Sequence, residues 1–338
     1  MNTLARTRKK KKSNNGVWVG SGISVGILAL ICLALFLKMR PGPPDSSSGA
    51  ITDANLAKQT LKTAGLPDLG NAPGGSGSFA ALLTTIGEAK IVMRSGGFED
   101  EKAAAAQKIV QALHGAAAST LTASALDAKI PEKRFESPDL KRDLQVLGTA
   151  VRKQVDAHIE LAEFDQAQAI ALSYLNLGKQ VFDKNVRLKS RQRGLAMMRS
   201  ALSTIGRINR ARYDDGEIEK DGLRELNDKV MDWNNAIKAL EDVWNSKLKP
   251  TEGVNASKGI PNISDLIKIA KEDQDPTFRI WASLRLGYAL YERGDQGNQK
   301  AITAAIEELK LDSNKQVAAA AKAGESIKDS DEYYELRK

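Results

Sequence analysis

The chain has 338 residues, 50 of them Lys or Arg and 42 Asp or Glu, for a formal net charge of +8. That length accommodates one or two globular domains of about 100–200 residues each. Its single cysteine, Cys32, excludes an intramolecular disulfide framework and any CxxC redox or zinc site.

Residues 1–40 hold eight Lys or Arg and no acid, which leaves 42 basic and 42 acidic residues in the rest of the chain. The whole excess therefore flanks one apolar stretch, residues 17–37. Basic charge placed there sets membrane topology and attracts anionic lipid, at about 1 kcal/mol per residue. It does not build a phosphate-backbone surface, so nucleic acid is not an expected partner.

Residues 1–16 read as a basic cytoplasmic tail. Residues 17–37 carry no charge, and at a rise of about 1.5 Å each they span about 31 Å, close to the bilayer core of about 30 Å. Val17, Leu28, Leu30, Leu33, Phe36 and Leu37 supply the apolar surface of this anchor, and Trp18 sits where an indole prefers the interface. A cleaved signal would have a shorter apolar core of about 7–15 residues and a small-residue cleavage site. Here the run is followed by Lys38-Met39-Arg40-Pro41. Six basic residues before the span against two after it put the N-terminus in the cytoplasm and the rest outside, which in a bacterial inner membrane means the periplasm. Gly22 and Gly26 have the small-xxx-small spacing that lets two spans approach, so a homodimer through the membrane helix is one expectation.

Residues 38–77 are rich in Pro, Gly and Ser and predict a flexible tether with one short helix at 52–64. An all-α domain is expected over 78–249. Phe79, Leu82, Leu83, Ile86 and Ala89 recur at helical spacing after Ser78. Ala103, Ala106, Ile109, Val110 and Leu113 form a second stripe. Residues 119–135 have no clear pattern. Ser137-Pro138-Asp139 is a helix start, with a capping Ser and Pro at the first position. Leu140, Leu144, Leu147, Val151, Val155, Ile159 and Ala162 follow as its buried stripe. Ile170, Tyr174, Leu177 and Val181 predict the next helix, and Ala196, Met197, Ala201, Ile205 and Ile208 the one after. Leu223, Leu226, Val230, Trp233, Ile237, Leu240 and Trp244 step by three and four as a heptad seam, read as an intramolecular helical hairpin ahead of an intermolecular coiled coil. Residues 250–262, bounded by two prolines, read as a linker, and 263–338 as a helical C-terminal segment. Period-two runs of β-branched residues are missing, so the fold class is all-α: one transmembrane helix, a tether, then a helical bundle or α-solenoid.

Within that segment, Asp275-Pro276 through Leu286-Gly287 echoes Asp312 through Gly324 at an offset of 37 residues. The Asp-Pro opening and the apolar helix ending in Leu-Gly resemble HEAT repeats. Leu286-Gly287, Leu290 and Gly294 also resemble a tetratricopeptide repeat, although Ala301 falls two residues late. Tyr174, Leu177-Gly178 and Val181 echo that motif's first helix, with the spacing broken at 185–193. The resemblance covers about 168–205 and 264–326. It implies stacked helix pairs with a concave protein-binding surface.

Motifs for catalysis, metal or cofactor binding are missing, and no catalytic residue, metal ligand or cofactor is assigned. Two histidines, His114 and His158, read as helix-terminal and partly buried hydrogen-bonded residues. Asp214, Asp215, Glu217, Glu219 and Asp221 surround a turn and a helix start, where acids complement the helix dipole. Residues 179–212 are basic and opposed only by Asp183. They are either a solvated face balanced by that acidic turn or a docking surface centred on Arg187, Lys189, Arg191 and Arg193. The expected function is a membrane-anchored, non-enzymatic scaffold for protein partners. The alternatives are a binder of anionic envelope polymer or lipid headgroups through 179–212, and an enzyme with a carboxylate site outside known motifs.

Overall fold

The computed structural model describes residues 66–94, 98–122, 125–252, 262–292 and 295–337. The basic tail, the apolar stretch 17–37 with Gly22 and Gly26, and the short helix expected at 52–64 lie outside the described residues. Among the described residues no helix is long and apolar enough to cross a membrane. All of their regular structure is helical, which is the class that the absent period-two patterns imply.

Six helices build a first hydrophobic core: α1 (Phe79–Arg94), α2 (Glu99–Ala118), α3 (Pro138–Glu160), α4 (Phe164–Lys184), α5 (Leu188–Asp214) and α6 (Lys220–Glu252). Their starts follow local chemistry. Ser78 Oγ accepts from Ala81 N at 3.1 Å at the head of α1. Ser137 Oγ accepts from Leu140 N at 3.3 Å, with Pro138 as the first helical residue of α3. The predicted stripes of α1, α2 and α4 face inward. Two assignments differ from the pattern. Ala162, expected at the end of the α3 stripe, is an exposed turn residue with φ +57, because α3 stops at Glu160. On α5 the buried residue is Leu195 and Ala196 is exposed, one step away on the helical wheel.

The heptad seam of α6 lies against α5 within the same chain, with Val230, Ile237 and Trp244 buried and the seam's other residues half-buried. The intramolecular hairpin therefore accounts for the heptads. α6 continues through Pro250 to Glu252, three residues into the expected linker.

Residues 66–77 have no helix, as their Pro and Gly content implies, yet they do not hang free. Leu66, Leu69 and Ala72 pack against the first core. Trp233 Nε1 donates to Pro67 O at 2.9 Å and Gln168 Nε2 to Leu69 O at 3.2 Å. Gly75 and Gly77 cross α2 at Gly115, where a Cβ on either would stand 3.0 Å from Gly115 backbone. The strap comes this close because all three residues lack side chains.

A second core is formed by α7 (Ile263–Glu272), α8 (Pro276–Ala289), α9 (Gln299–Leu309), α10 (Lys315–Glu325) and α11 (Ser330–Arg337). The helix pairs α7–α8 and α9–α10 are built alike. Asp273 Oδ1 accepts from Asp275 N at 2.8 Å, and Asp312 Oδ1 accepts from Asn314 N at 2.8 Å. Asp275 then caps α8 through Thr277 N, and Asn314 caps α10 through Gln316 N. Ile263, Leu266, Ala270, Phe278 and Ala282 correspond to Ile302, Ala305, Leu309, Val317 and Ala321, and all ten are buried. The step between equivalents is 39 residues, where the sequence echo suggested 37. It exceeds the 34 or so of tetratricopeptide repeats and falls just short of the roughly 40–47 of HEAT-type repeats. Gly287 and Gly324, paired by the 37-residue echo, are not equivalents. They touch where α8 crosses α10, and a Cβ on Gly324 would stand 3.2 Å from Gly287 Cα.

Candidate functional site

The two cores meet at a joint built around Arg191, which is 8% exposed. Its guanidinium lies over the Phe182 ring at 4.3 Å and the Trp244 ring at 5.3 Å. It donates to Thr277 Oγ1 at 3.0 Å and stands 3.6 Å from Asp275 Oδ2. Trp244 stacks on Phe182 at 5.7 Å and meets Phe278 of α8 edge-on at 5.8 Å. Burial pushes the Arg191 guanidinium below its ordinary value, opposed by Asp275, Asp183 and Asp127. A planar cation that lies against both rings, hydrogen-bonded to Thr277 and ion-paired with the capping Asp275 of α8, ties the second core to the first.

Beside this joint run residues 125–137, most of which belong to the stretch 119–135 that has no clear sequence pattern. Asp127 is buried in it and works as a hub. Its Oδ2 accepts from Val186 N at 2.7 Å and Arg187 N at 3.0 Å, and its Oδ1 accepts from Ser190 Oγ at 2.5 Å. Asn185 Oδ1 returns the contact by accepting from Leu126 N at 3.0 Å. The α4–α5 turn thus obtains its capping carboxylate from a distant segment, which no local spacing announces. Further along, Lys133 Nζ donates to Glu332 at 2.6 Å and to Ser326 O at 2.9 Å, and Tyr288 OH donates to Lys133 O at 2.7 Å. The segment is a clasp held by both cores.

Between the clasp, the start of α5, the end of α8 and α11 lies a cleft of about 280 Å³. The clasp supplies Arg134, Phe135 and Glu136, α5 supplies Lys189, and Arg285, Tyr288 and Glu292 close the floor. Phe135 packs on Tyr288 at 4.9 Å. Burial pushes the Tyr288 phenol up to about 12, so it is a neutral hydrogen-bonding group at ordinary pH. Glu292 is 8% exposed. Its Oε1 is paired with Arg285 at 2.6 Å and accepts from Tyr333 OH at 3.2 Å, while its Oε2 is buried without a hydrogen-bond partner. A smaller apolar recess adjoins the cleft, lined by Phe135, Leu188, Ile280, Trp281 and Leu284.

The four cations singled out in the sequence separate here. Arg191 is inside the joint and cannot meet a partner. Arg187 is half-buried, donates to Arg134 O at 2.7 Å and fixes the clasp. Arg193 pairs with Glu136 at 2.8 Å. Lys189 alone of the four faces the cleft without an ion pair among the described residues. The later arginines of the basic run are also paired. Arg199 pairs with Glu241 at 2.5 Å, Arg207 with Asp156 at 2.8 Å, and Arg212 with Asp165 at 2.6 Å and Glu217 at 2.7 Å. The acidic turn is thus partly consumed by Arg212 and by Arg210, which pairs with Asp214 at 3.0 Å. Among the described residues no three His, Cys, Asp or Glu side chains converge as a metal site.

The histidines have ordinary partners. His114 Nδ1 lies 2.8 Å from Ser173 Oγ across the α2–α4 contact, and burial lowers its pKa. It is not terminal, since α2 continues to Ala118. His158 Nδ1 lies 2.7 Å from Glu163 Oε2. Sequence reasoning missed Asp127, Tyr288, Glu292 and the clasp. The signals that existed were the Pro131 break and the isolated Tyr288 and Glu292 at the end of an apolar helix, and none of these indicates a shared cleft. No protein-family model, curated protein or solved structure matches the chain.

Proposed function

We propose that the protein is a single-pass membrane scaffold that presents a helical binding domain on the extracytoplasmic side, with its N-terminus in the cytoplasm. The uncharged stretch 17–37 and its six preceding basic residues support the anchorage and the orientation. The observation that carries the binding role is the cleft of about 280 Å³ at the junction of the two cores, to which four separated chain segments contribute side chains. Sites of this kind form where substructures meet, and convergent polar groups on apolar walls fix an occupant's orientation. The helix pairs of the second core supply the rigid wall, and the strap 66–77 packs on the folded body. The occupant is a protein partner, held within reach of the membrane.

Two experiments test this. An alkaline phosphatase fused to the C-terminus is active if the domain is exported, and an inactive fusion of normal abundance overturns the topology. A photocrosslinking amino acid placed at Lys141, on the rim of the cleft, captures a defined protein in intact membranes. The same probe at Lys220, away from the cleft, does not. Equal capture from both positions overturns the assignment of the cleft. Gly22 and Gly26 add the expectation that two copies associate through the span, which Gly22→Leu would abolish in a membrane dimerisation assay.

A further inference from the structure

The apolar seam of α6 is covered over only part of its length. Val230, Ile237 and Trp244 are buried, and Trp233 and Leu240 pack against the first core. Leu223 and Leu226, the first two residues of the same seam, are half-buried and belong to neither core among the described residues. A heptad seam is a surface shaped to receive another helix. From Leu223 to Trp233 the incompletely covered stretch is about 15 Å long, at about 1.5 Å per residue.

The chain itself supplies a segment of matching length at this place. The first described residue, Leu66, packs on the first core, and Pro67 O accepts from Trp233 Nε1 at 2.9 Å. The residues ahead of Leu66 therefore start out from the flank of α6, at one end of the stretch. Residues 52–64, the expected short helix, lie outside the described residues; as a helix they would be about 20 Å long. Gly65 is the helix stop that follows. Their Ala54, Ala57, Leu61 and Ala64 step by three, four and three, and so do Leu223, Leu226, Val230 and Trp233. Two parallel helices sharing that phase keep their apolar stripes together over the whole stretch. Charge agrees with the match: residues 52–64 carry two Lys and one Asp, and residues 219–232 carry five acids and three bases.

We propose that residues 52–64 dock as a helix parallel to the first half of α6, covering Leu223 and Leu226, with Ala64 beside Trp233 and Ala57 beside Leu226. The docked helix is part of the folded body and not of the tether. Docking does not depend on the scaffold reading, but its consequence does. With the helix docked, residues 38–51 alone separate the domain from the span. By flexible-chain scaling their reach is about 21 Å, against about 29 Å for residues 38–65. The binding domain is thereby held closer to the membrane.

The test uses the full-length chain in detergent, with Cys32→Ser to remove the native thiol. Ala57→Cys is combined with Leu226→Cys, or with Arg224→Cys, which is exposed two residues away on the opposite side of α6. Under mild oxidation the Leu226→Cys pair closes an intrachain disulfide about tenfold faster than the Arg224→Cys pair. Equal rates overturn the proposal, because a free tether reaches both sides of α6 alike. A disulfide between two chains in place of the intrachain one also overturns it and makes a second copy the occupant. Leu61→Asp needs no cysteine and leaves α6 intact. It makes proteinase K cut within 52–64 about tenfold faster than in the wild type, and an unchanged rate overturns the docking. An inactive phosphatase fusion alongside the intrachain disulfide removes the topology and leaves the docked helix standing.

Discussion

A methyl group at Gly194 should force apart the α4–α5 pair. A Cβ there would stand 2.6 Å from Phe182 N, 2.7 Å from Gly178 O and 2.9 Å from Phe182 Cα, all of them backbone atoms of α4. Ordinary contact begins near 3.4 Å, so the helices must separate by about 0.8 Å, and no rotamer change can absorb it. Overpacking of this kind costs about 1–3 kcal/mol, and immovable backbone on one side places it near the upper end. Alanine in a helix interior returns about 1 kcal/mol relative to glycine. The net loss for Gly194→Ala is therefore about 2 kcal/mol. Gly206, on the same helix, has no atom within 4 Å of its added Cβ. Gly206→Ala keeps only the propensity gain, about 1 kcal/mol. At about 2 °C per kcal/mol for a domain of this size, thermal unfolding followed by far-ultraviolet circular dichroism should fall by about 4 °C for Gly194→Ala and rise by about 2 °C for Gly206→Ala. If Gly194→Ala melts at or above the wild type, the tight α4–α5 crossing is wrong.

Removing Arg191 leaves Asp275 buried without its guanidinium, so Arg191→Ala should destabilise the chain by about 3–5 kcal/mol; the double variant Arg191→Met with Asp275→Asn should recover part of that loss in urea unfolding. His114 is held below its ordinary pKa of 6.5 by burial, so the unfolded chain binds the proton first. Its contribution is complete above about pH 6.5 and is lost as pH falls through the lower folded value. His114→Gln should flatten that part of the melting profile, and an unchanged slope would refute it. Trp233→Phe deletes the indole donor to Pro67 O, so subtilisin should cleave within 66–77 several times faster than in the wild type, with helix content unchanged.

The predicted helices were legible because each buries a single stripe, and a period near 3.6 marks that stripe directly in the sequence. Ser78 and Ser137 marked helix starts for the same local reason. Register across helices was less legible. The echo of 37 residues matched Leu-Gly with Ala-Gly, whereas the hydrogen-bonded turns at Asp273 and Asp312 require 39. Apolar residues recur every three or four positions on any such helix, so a shift of two still overlays apolar on apolar. The clasp was illegible for a different reason. Asp127 satisfies backbone donors about 60 residues away in sequence, and a carboxylate gives no sign of the donors it will meet.

Composition, periodicity and capping residues determined by themselves that the domain is all-α, that its net charge is nil outside the first 40 residues, and roughly where its helices begin. These are properties of single residues and of near neighbours along the chain. Tertiary structure alone decided the fate of the basic run. Arg187, Lys189, Arg191 and Arg193 look equivalent in sequence because each is a cation on one short stretch of helix. Folding turns Arg191 into a joint, Arg187 and Arg193 into ties, and Lys189 into a cleft charge with no ion pair among the described residues. The difference is made by which distant carboxylate, ring or carbonyl each guanidinium or ammonium reaches, and the dominant part of a charge's energy in a protein is set by those neighbours and by its distance from water.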